Sequence, residues 1–207
     1  MKKYLKVIAF GAHPDDVEFS CLGYLMRLHD SGSNICIYIA TSGSNGDETS
    51  GRHRIQESIN TFSCINSQII AENNPGLDHN NYEIISLKIR NILLDLKPDL
   101  ILIHSEHDTH QEHRLLREIV LTASRRIPCT VLSYKSVSVT ASYVENYFVN
   151  VTDQIELKIK FLQNHISQLH HNYMNIEFIK NFHISWFAKM RGISYVESYH
   201  LEQEIIE

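Results

Sequence analysis

The chain has 207 residues, 43% of them hydrophobic, which is enough for a single domain over residues 1–207 with a full core. Its 19 Lys and Arg residues against 24 Asp and Glu residues give a net charge of −5, so no basic field is available for a nucleic-acid partner. No apolar run approaches the roughly 20 residues of a membrane span, which argues against a membrane partner.

The predicted elements alternate between strands and helices. Apolar runs rich in Val, Ile and Tyr predict strands at residues 4–10, 34–41, 67–71, 99–104 and 130–134. Helical periodicity predicts helices at residues 18–30, 52–65, 82–96 and 111–124, followed by one long helix at 151–171. The start "MKKYLKVIAF" imitates a secretion signal, but Lys6 interrupts it and no small-residue cleavage site follows. We therefore interpret it as the first strand of a cytoplasmic protein.

This alternation predicts an α/β fold. Its strands read as near-continuous apolar runs, which is typical of a mostly parallel sheet flanked by helices on both faces. The residues beyond the fifth strand predict a smaller, irregular C-terminal part. In such sheets, ligands bind beyond the carboxyl ends of the strands where the strand order reverses, and the first and fourth strands are commonly neighbours at that point.

An acidic turn follows the first strand in "GAHPDDVEFS". Two adjacent carboxylates, Asp15 and Asp16, stand directly after His13 and Pro14. One interpretation is an Asp pair that caps the next helix, where negative charge is favourable. The other is a divalent cation that offsets the repulsion between the two acids.

A second polar loop, "EHDTHQEHRLL" at residues 106–116, follows the fourth strand. If both loops open onto one crevice, His13, Asp16 and His113 supply two imidazoles and a carboxylate. Three such ligands, with a fourth position left for water, typify a catalytic zinc site. His110 lies three residues before His113 and shares its helical face.

The two motifs "GAHPDDVE" and "HDTHQEHR" together resemble the signatures of the LmbE/PIG-L family of zinc-dependent deacetylases. Weaker similarities are "RIQES", "NHISQ" and "RGISYVES", so the resemblance spans nearly the whole chain. It implies a Rossmann-like fold, a Zn²⁺ cofactor and removal of an acetyl group from an N-acetylglucosamine-containing compound. It also allows a homo-oligomer.

Carried over by position, the resemblance makes His13, Asp16 and His113 the zinc ligands. Asp15 matches the general base, and His110 matches the histidine that stabilises the oxyanion or protonates the leaving amine. The resemblance implies substrate-binding roles for Arg54 and Arg191. Weaker matches fall on His165 and Glu197. Two departures from the family pattern bear on the pocket: the first helix reads "FSCLGYL" instead of a glycine-rich start, and Glu112 stands where aspartate is usual.

The sequence thus predicts a zinc-dependent hydrolase acting on a small amino-sugar substrate. One alternative is a zinc amidase that acts on another N-acyl amine. The other is a sugar- or nucleotide-binding module without turnover, which would have no need to retain Asp15 and His110 along with all three ligands.

Overall fold

The computed structural model describes residues 3–44 and 48–204. This part of the chain forms a seven-stranded sheet whose strands are β1 Lys6–Gly11, β2 Asn34–Ile39, β3 Ser67–Ala71, β4 Leu100–Ile103, β5 Thr130–Tyr134, β6 Tyr147–Asn150 and β7 Val196–Gln203. Their order across the sheet is β3-β2-β1-β4-β5-β7-β6. Strands β1 to β5 are parallel, whereas β7 is antiparallel to both of its neighbours.

Seven α-helices accompany the sheet in the described residues. They are α1 Asp16–Asp30, α2 Glu48–Phe62, α3 Tyr82–Leu96, α4 Gln111–Ser124, α5 Ile155–Leu162, α6 Ile176–Phe182 and α7 Trp186–Lys189. Side chains alternate along β1: Val7 and Ala9 join the core beneath α1, and Ile8 and Phe10 join the core beneath α3 and α4. Because successive side chains of a strand point to opposite faces of the sheet, these two cores show that helices cover both faces. This confirms the predicted α/β class and the covered, mostly parallel sheet.

The long helix predicted at residues 151–171 is wrong. Helix α5 ends at Leu162, and two 3-10 helices, Ile166–Gln168 and Asn172–Met174, follow it. The backbone N–H of Ser167 donates to the carboxylate of Glu57 at 2.9 Å, where a continuous helix would use the carbonyl four residues earlier. A contact with α2 therefore replaces the helical hydrogen bond.

Within the described residues, no helix combines the length and the apolar character that crossing a bilayer would require. The single domain and the cytoplasmic location remain predictions.

Candidate active site

The candidate site lies where the strand order reverses. Strand β1 pairs with β2 on one side and with β4 on the other, so the chain crosses the sheet between them. The loop after β1 carries His13, and the loop after β4 leads into α4 with His113. Because both strands are parallel, their carboxyl ends open at the same edge, as expected for a ligand site in this kind of sheet.

The side chains of His13, Asp16 and His113 meet at this edge. His113 Nε2 lies 3.2 Å from His13 Nδ1 and 3.4 Å from Asp16 Oδ1. His13 Nδ1 lies 3.4 Å from Asp16 Oδ2. One nitrogen of each imidazole thus lies beside the other and beside one oxygen of Asp16, although the two histidines belong to remote loops.

Buried carboxylates determine the charge of these groups. Burial alone would lower the pKa of His13, but the carboxylates of Asp16 and Glu112 outweigh it and raise that pKa to about 10. Burial opposes ionisation of Asp16 as well, yet the imidazoles of His113 and His104 hold its pKa well below the ordinary value. The cluster therefore favours positive charge between the carboxylates.

Asp108 orients His113, a role that was not predicted from the sequence. His113 Nδ1 lies 2.9 Å from Asp108 Oδ2. A carboxylate accepts hydrogen bonds and cannot donate them, so Nδ1 carries a proton and Nε2 is the nitrogen that faces the site. The hydroxyls of Ser136 and Ser138 donate to Asp108 at 2.5 and 2.6 Å, and the N–H of His110 donates at 2.8 Å. The only sequence signal for this role was an acid inside the histidine-rich loop.

His104, directly after β4, is a second residue that sequence reasoning missed. Its ring stacks on His113 with centroids 3.8 Å apart, and its Nε2 accepts the N–H of Ala12 at 3.1 Å. Burial and the neighbouring His113 lower its pKa to about 4, so the ring is neutral. Its position at the carboxyl end of a core strand was the available signal.

Two overlapping groups of potential metal ligands occur among the described residues. One comprises His13, His110 and His113, and the other comprises Asp16, His104 and His113; within each group, the ligand atoms lie within 4.8 Å of one another. His104 is the weaker candidate, because its Nε2 is already the acceptor of a backbone N–H.

Asp15 lies beside the cluster at the start of α1. Its backbone φ of 115° falls in the left-handed region, which is unusual for a residue with a side chain. Its Oδ2 accepts a hydrogen bond from the hydroxyl of Tyr173 at 3.1 Å and lies 3.6 Å from Arg54 Nη2. Burial, followed by the repulsion of Asp16, raises its pKa to about 6. A carboxylate with such a pKa can accept a proton near neutral pH.

His110 is exposed and faces the same cavity. Its ring stacks on His113 with centroids 4.5 Å apart and meets the edge of His13 at 4.8 Å. Burial and the neighbouring His113 lower its pKa. The cavity measures about 370 Å³, near the lower end of the range for small-molecule sites. Its walls include Phe19, Gly43, Pro75, Val137, His171 and Tyr173.

The two arginines predicted to bind substrate lie in different places. Arg54 lines the cavity, but its Nη atoms donate to the carbonyls of Gly43 and Pro14 at 2.8 and 2.9 Å. Arg191 is exposed and does not line the cavity; its guanidinium lies over the ring of Phe187, 3.7 Å from the centroid, and donates to that residue's carbonyl. The prediction for Arg191 finds no support in this placement, because a residue one turn back in the chain holds its side chain.

Fold and site together define a Rossmann-like α/β protein with a candidate metal centre at the reversal of its strand order. The family described as GlcNAc-PI de-N-acetylase (PIG-L) matches residues 8–124. The chain is also 30% identical, over 173 residues, to the uncharacterized deacetylase YaiS of Escherichia coli K12. This match covers 78% of this chain and 90% of that protein. The chain therefore belongs to the PIG-L family, and it is a hydrolytic N-deacetylase of that family.

Solved structures of low sequence identity share the fold. The N,N'-diacetylchitobiose deacetylase of Pyrococcus horikoshii is 19% identical with a TM-score of 0.77, covering 96% of this chain and 84% of its own. The 4-carboxy-2-hydroxymuconate hydratase GalB of Pseudomonas putida KT2440 is 11% identical with a TM-score of 0.80, covering 98% of both chains. Since a hydratase has this fold too, the fold alone does not specify the reaction.

Proposed function

We propose that this chain is a zinc-dependent hydrolase that removes the N-acetyl group from an N-acetylglucosamine-containing or related amino-sugar compound. The observation that carries the proposal is the meeting of His13, Asp16 and His113, in which the two imidazole nitrogens are 3.2 Å apart and each lies 3.4 Å from one oxygen of Asp16. Metal bonds of about 2.0–2.1 Å in a tetrahedral arrangement separate ligand atoms by about 3.4 Å. The three side chains therefore fit a zinc ion in both spacing and chemistry.

The donor set also fits zinc in its supporting contacts. Each imidazole has a carboxylate on the nitrogen that faces away from the cluster: Asp108 for His113 and Glu112 for His13. Such pairs orient imidazole ligands and raise their basicity. A bound zinc supplies Lewis-acid polarisation of the amide carbonyl and activation of water.

Asp15 is the group that would accept the proton of the attacking water. Its carboxylate borders the cavity and is oriented by the Tyr173 hydroxyl and the Arg54 guanidinium. General-base assistance of this kind contributes about 10²–10⁴ to rates.

His110 would act on the oxygen of the reacting carbonyl. Its lowered pKa keeps the ring neutral near pH 7, so it offers one N–H donor to the developing oxyanion. A single donor of this kind is worth about 10²–10³ in rate. The proton that water gives up to Asp15 balances the one that the leaving amine needs, and the same ring can pass a proton to that amine once it has taken one up from the site.

An amino-sugar substrate is supported by the family description and by the chitobiose deacetylase among the structural neighbours. A cavity of about 370 Å³ suits one sugar-sized group. Arg54 shapes this cavity through the carbonyls that it holds, and we propose that it contacts substrate from that position. A zinc amidase for another N-acyl amine is the remaining alternative; a binding module without turnover conflicts with membership of a deacetylase family.

The direct test is acetate release from a panel of N-acetylglucosamine conjugates, with and without a chelator. We expect release that the chelator abolishes and that added Zn²⁺ restores. N-acyl amines without a sugar serve as the comparison, because faster turnover of those would favour the amidase alternative. Release that chelation leaves unchanged would overturn the zinc mechanism.

A further inference from the structure

Glu112 makes two contacts with one carboxylate oxygen. It precedes His113 on α4, and its side chain is 18% exposed at the cavity wall. Its Oε2 lies 3.3 Å from His13 Nε2 and accepts the backbone N–H of Leu77 at 2.9 Å. The same oxygen therefore touches a candidate zinc ligand and the loop at residues 72–81 between β3 and α3.

His13 has a carboxylate near each ring nitrogen: Glu112 Oε2 lies 3.3 Å from Nε2, and Asp16 Oδ2 lies 3.4 Å from Nδ1. Nδ1 is the nitrogen that faces the cluster, 3.2 Å from His113 Nε2. A metal ion bound at Nδ1 leaves the ring proton on Nε2, where Glu112 can accept it because a carboxylate accepts but cannot donate. Glu112 thus contacts the ring nitrogen of His13 that faces away from the cluster, as Asp108 does for His113.

The two carboxylates differ in how they are supported. Asp108 accepts hydrogen bonds from two serine hydroxyls and one backbone N–H besides its contact with His113. Glu112, by contrast, accepts one backbone N–H, that of Leu77, at the same oxygen that contacts His13. Leu77 is buried in the core, whereas Pro75 of the same loop lines the cavity. The position of Glu112 is therefore tied to this loop.

We propose that Glu112 is a positioning residue that orients His13 for zinc and links it to the cavity wall formed by the loop at residues 72–81. The inference rests on the zinc centre of the proposed function. Side-chain length is essential to it, because aspartate at this position, the usual residue in the resembled family, is one methylene shorter and cannot keep both contacts from the same backbone.

Zinc affinity of the purified full chain, measured by competition with a chelator, tests the inference without requiring turnover. We expect Glu112→Asp and Glu112→Gln each to weaken zinc binding by roughly 10-fold or more, as other carboxylates behind histidine ligands do. Hydrogen exchange at the Leu77 amide separates the two contacts. Glu112→Gln keeps an acceptor at the right distance and should retain protection, whereas Glu112→Asp should lose it.

Glu118→Gln is the matched control, because Glu118 is an exposed acid on the same helix and does not line this cavity. It should leave zinc affinity and Leu77 protection unchanged, which excludes a simple effect of net charge. Zinc affinity within about twofold of wild type in both Glu112 variants, well below the effect known for such carboxylates, would overturn the inference alone. Failure of the wild-type chain to bind zinc would overturn the metal centre of the proposed function and this inference with it.

Discussion

At the scale of single residues, the candidate site is organised by carboxylates with different partners. Asp16 contacts the imidazoles of His13 and His113, whereas Asp15, its neighbour in the chain, contacts Tyr173 and Arg54. The left-handed backbone at Asp15 occurs where the two carboxylates take these different partners. Adjacent acids thus have separate environments, which is the condition for one to bind metal and the other to move a proton.

Substitutions at Asp15 and His113 should separate these two tasks. We expect Asp15→Asn to retain zinc and to lose turnover by about 10²–10⁴, because an amide cannot accept the proton of water. His113→Ala should lose zinc itself. Metal analysis of both purified variants, together with acetate release, checks the pair; unchanged zinc content in His113→Ala would remove that residue from the ligand set.

The residue roles were partly readable from the sequence. His13, Asp16 and His113 belong to two motifs that follow the first and fourth predicted strands, which were expected to be neighbours, and the structure brings these side chains together. The supporting roles of His104 and Tyr173 were not readable, because each depends on a partner that lies elsewhere in the chain.

At the scale of elements, α1 is held in place by the last strand. The carboxylate of Glu197 on β7 accepts the backbone N–H groups of Gly23 and Tyr24, in the middle of α1, at 2.8 and 2.7 Å. Lys158 of α5 donates to the same carboxylate at 2.6 Å, and both charged side chains are fully buried. A Cβ atom at Gly23 would meet Val151 Cγ1 at 2.9 Å, so the close approach requires glycine. Since α1 begins at the candidate site, this contact also positions the site.

Loss of the lysine should therefore destabilise the whole fold. Breaking a buried ion pair leaves an uncompensated charge, and we expect Lys158→Met to lower the free energy of unfolding by about 3–5 kcal/mol. Urea unfolding measures the change. Lys160→Met, at an exposed position of the same helix, is the control and should have little effect. If the buried charge is the cause, adding Glu197→Gln to Lys158→Met should recover part of the loss; no recovery would contradict this explanation.

The predicted bounds of helices and strands were correct where local periodicity determines them. They were wrong at residues 163–171, where the chain does not continue the helix that its pattern predicts. The bounds predicted for α3, α4, β3 and β5 agree with the structure. Each of these has an apolar pattern that matches its own period and lies between clear turn residues. The helix predicted at residues 151–171 continued the same kind of pattern, but α5 ends at Leu162. The N–H groups of Asn164 and His165 bond to carbonyls three residues back, and the N–H of Ser167 donates to Glu57.

At the scale of the whole molecule, buried histidines link stability to pH. His183 is 2% exposed, and burial, followed by the positive charge of Lys158, holds its pKa well below the ordinary value. The unfolded chain takes up a proton at this residue near pH 6.5, whereas the folded chain does so only at lower pH. The contribution of His183 to stability is therefore complete above about pH 6.5 and is lost as the pH falls below it.

Urea unfolding between about pH 7 and pH 5, with a chelator present, tests this linkage. The free energy of unfolding of the wild-type chain should fall more steeply with decreasing pH than that of His183→Gln. The difference in slope should be at most about 1.4 kcal/mol per pH unit for one proton. His79→Gln, at an exposed loop position, should follow the wild-type slope. Parallel profiles for wild type and His183→Gln would refute the assignment.

The sequence by itself determined the α/β class, the five parallel strands and the two motifs at their carboxyl ends. These follow from local periodicity and from residue types next to one another in the chain, which no distant contact has to supply. Only the tertiary structure decided that Asp108 and Glu112 stand behind His113 and His13, that Tyr173 reaches Asp15, and that Arg191 packs on Phe187 outside the cavity. Glu112 and His13 are about 100 positions apart in the chain, and Tyr173 and Asp15 are 158 positions apart. The contacts of Asp108 and Arg191 depend on how a loop and a helix end fold. Each of these contacts therefore forms only when the whole core packs.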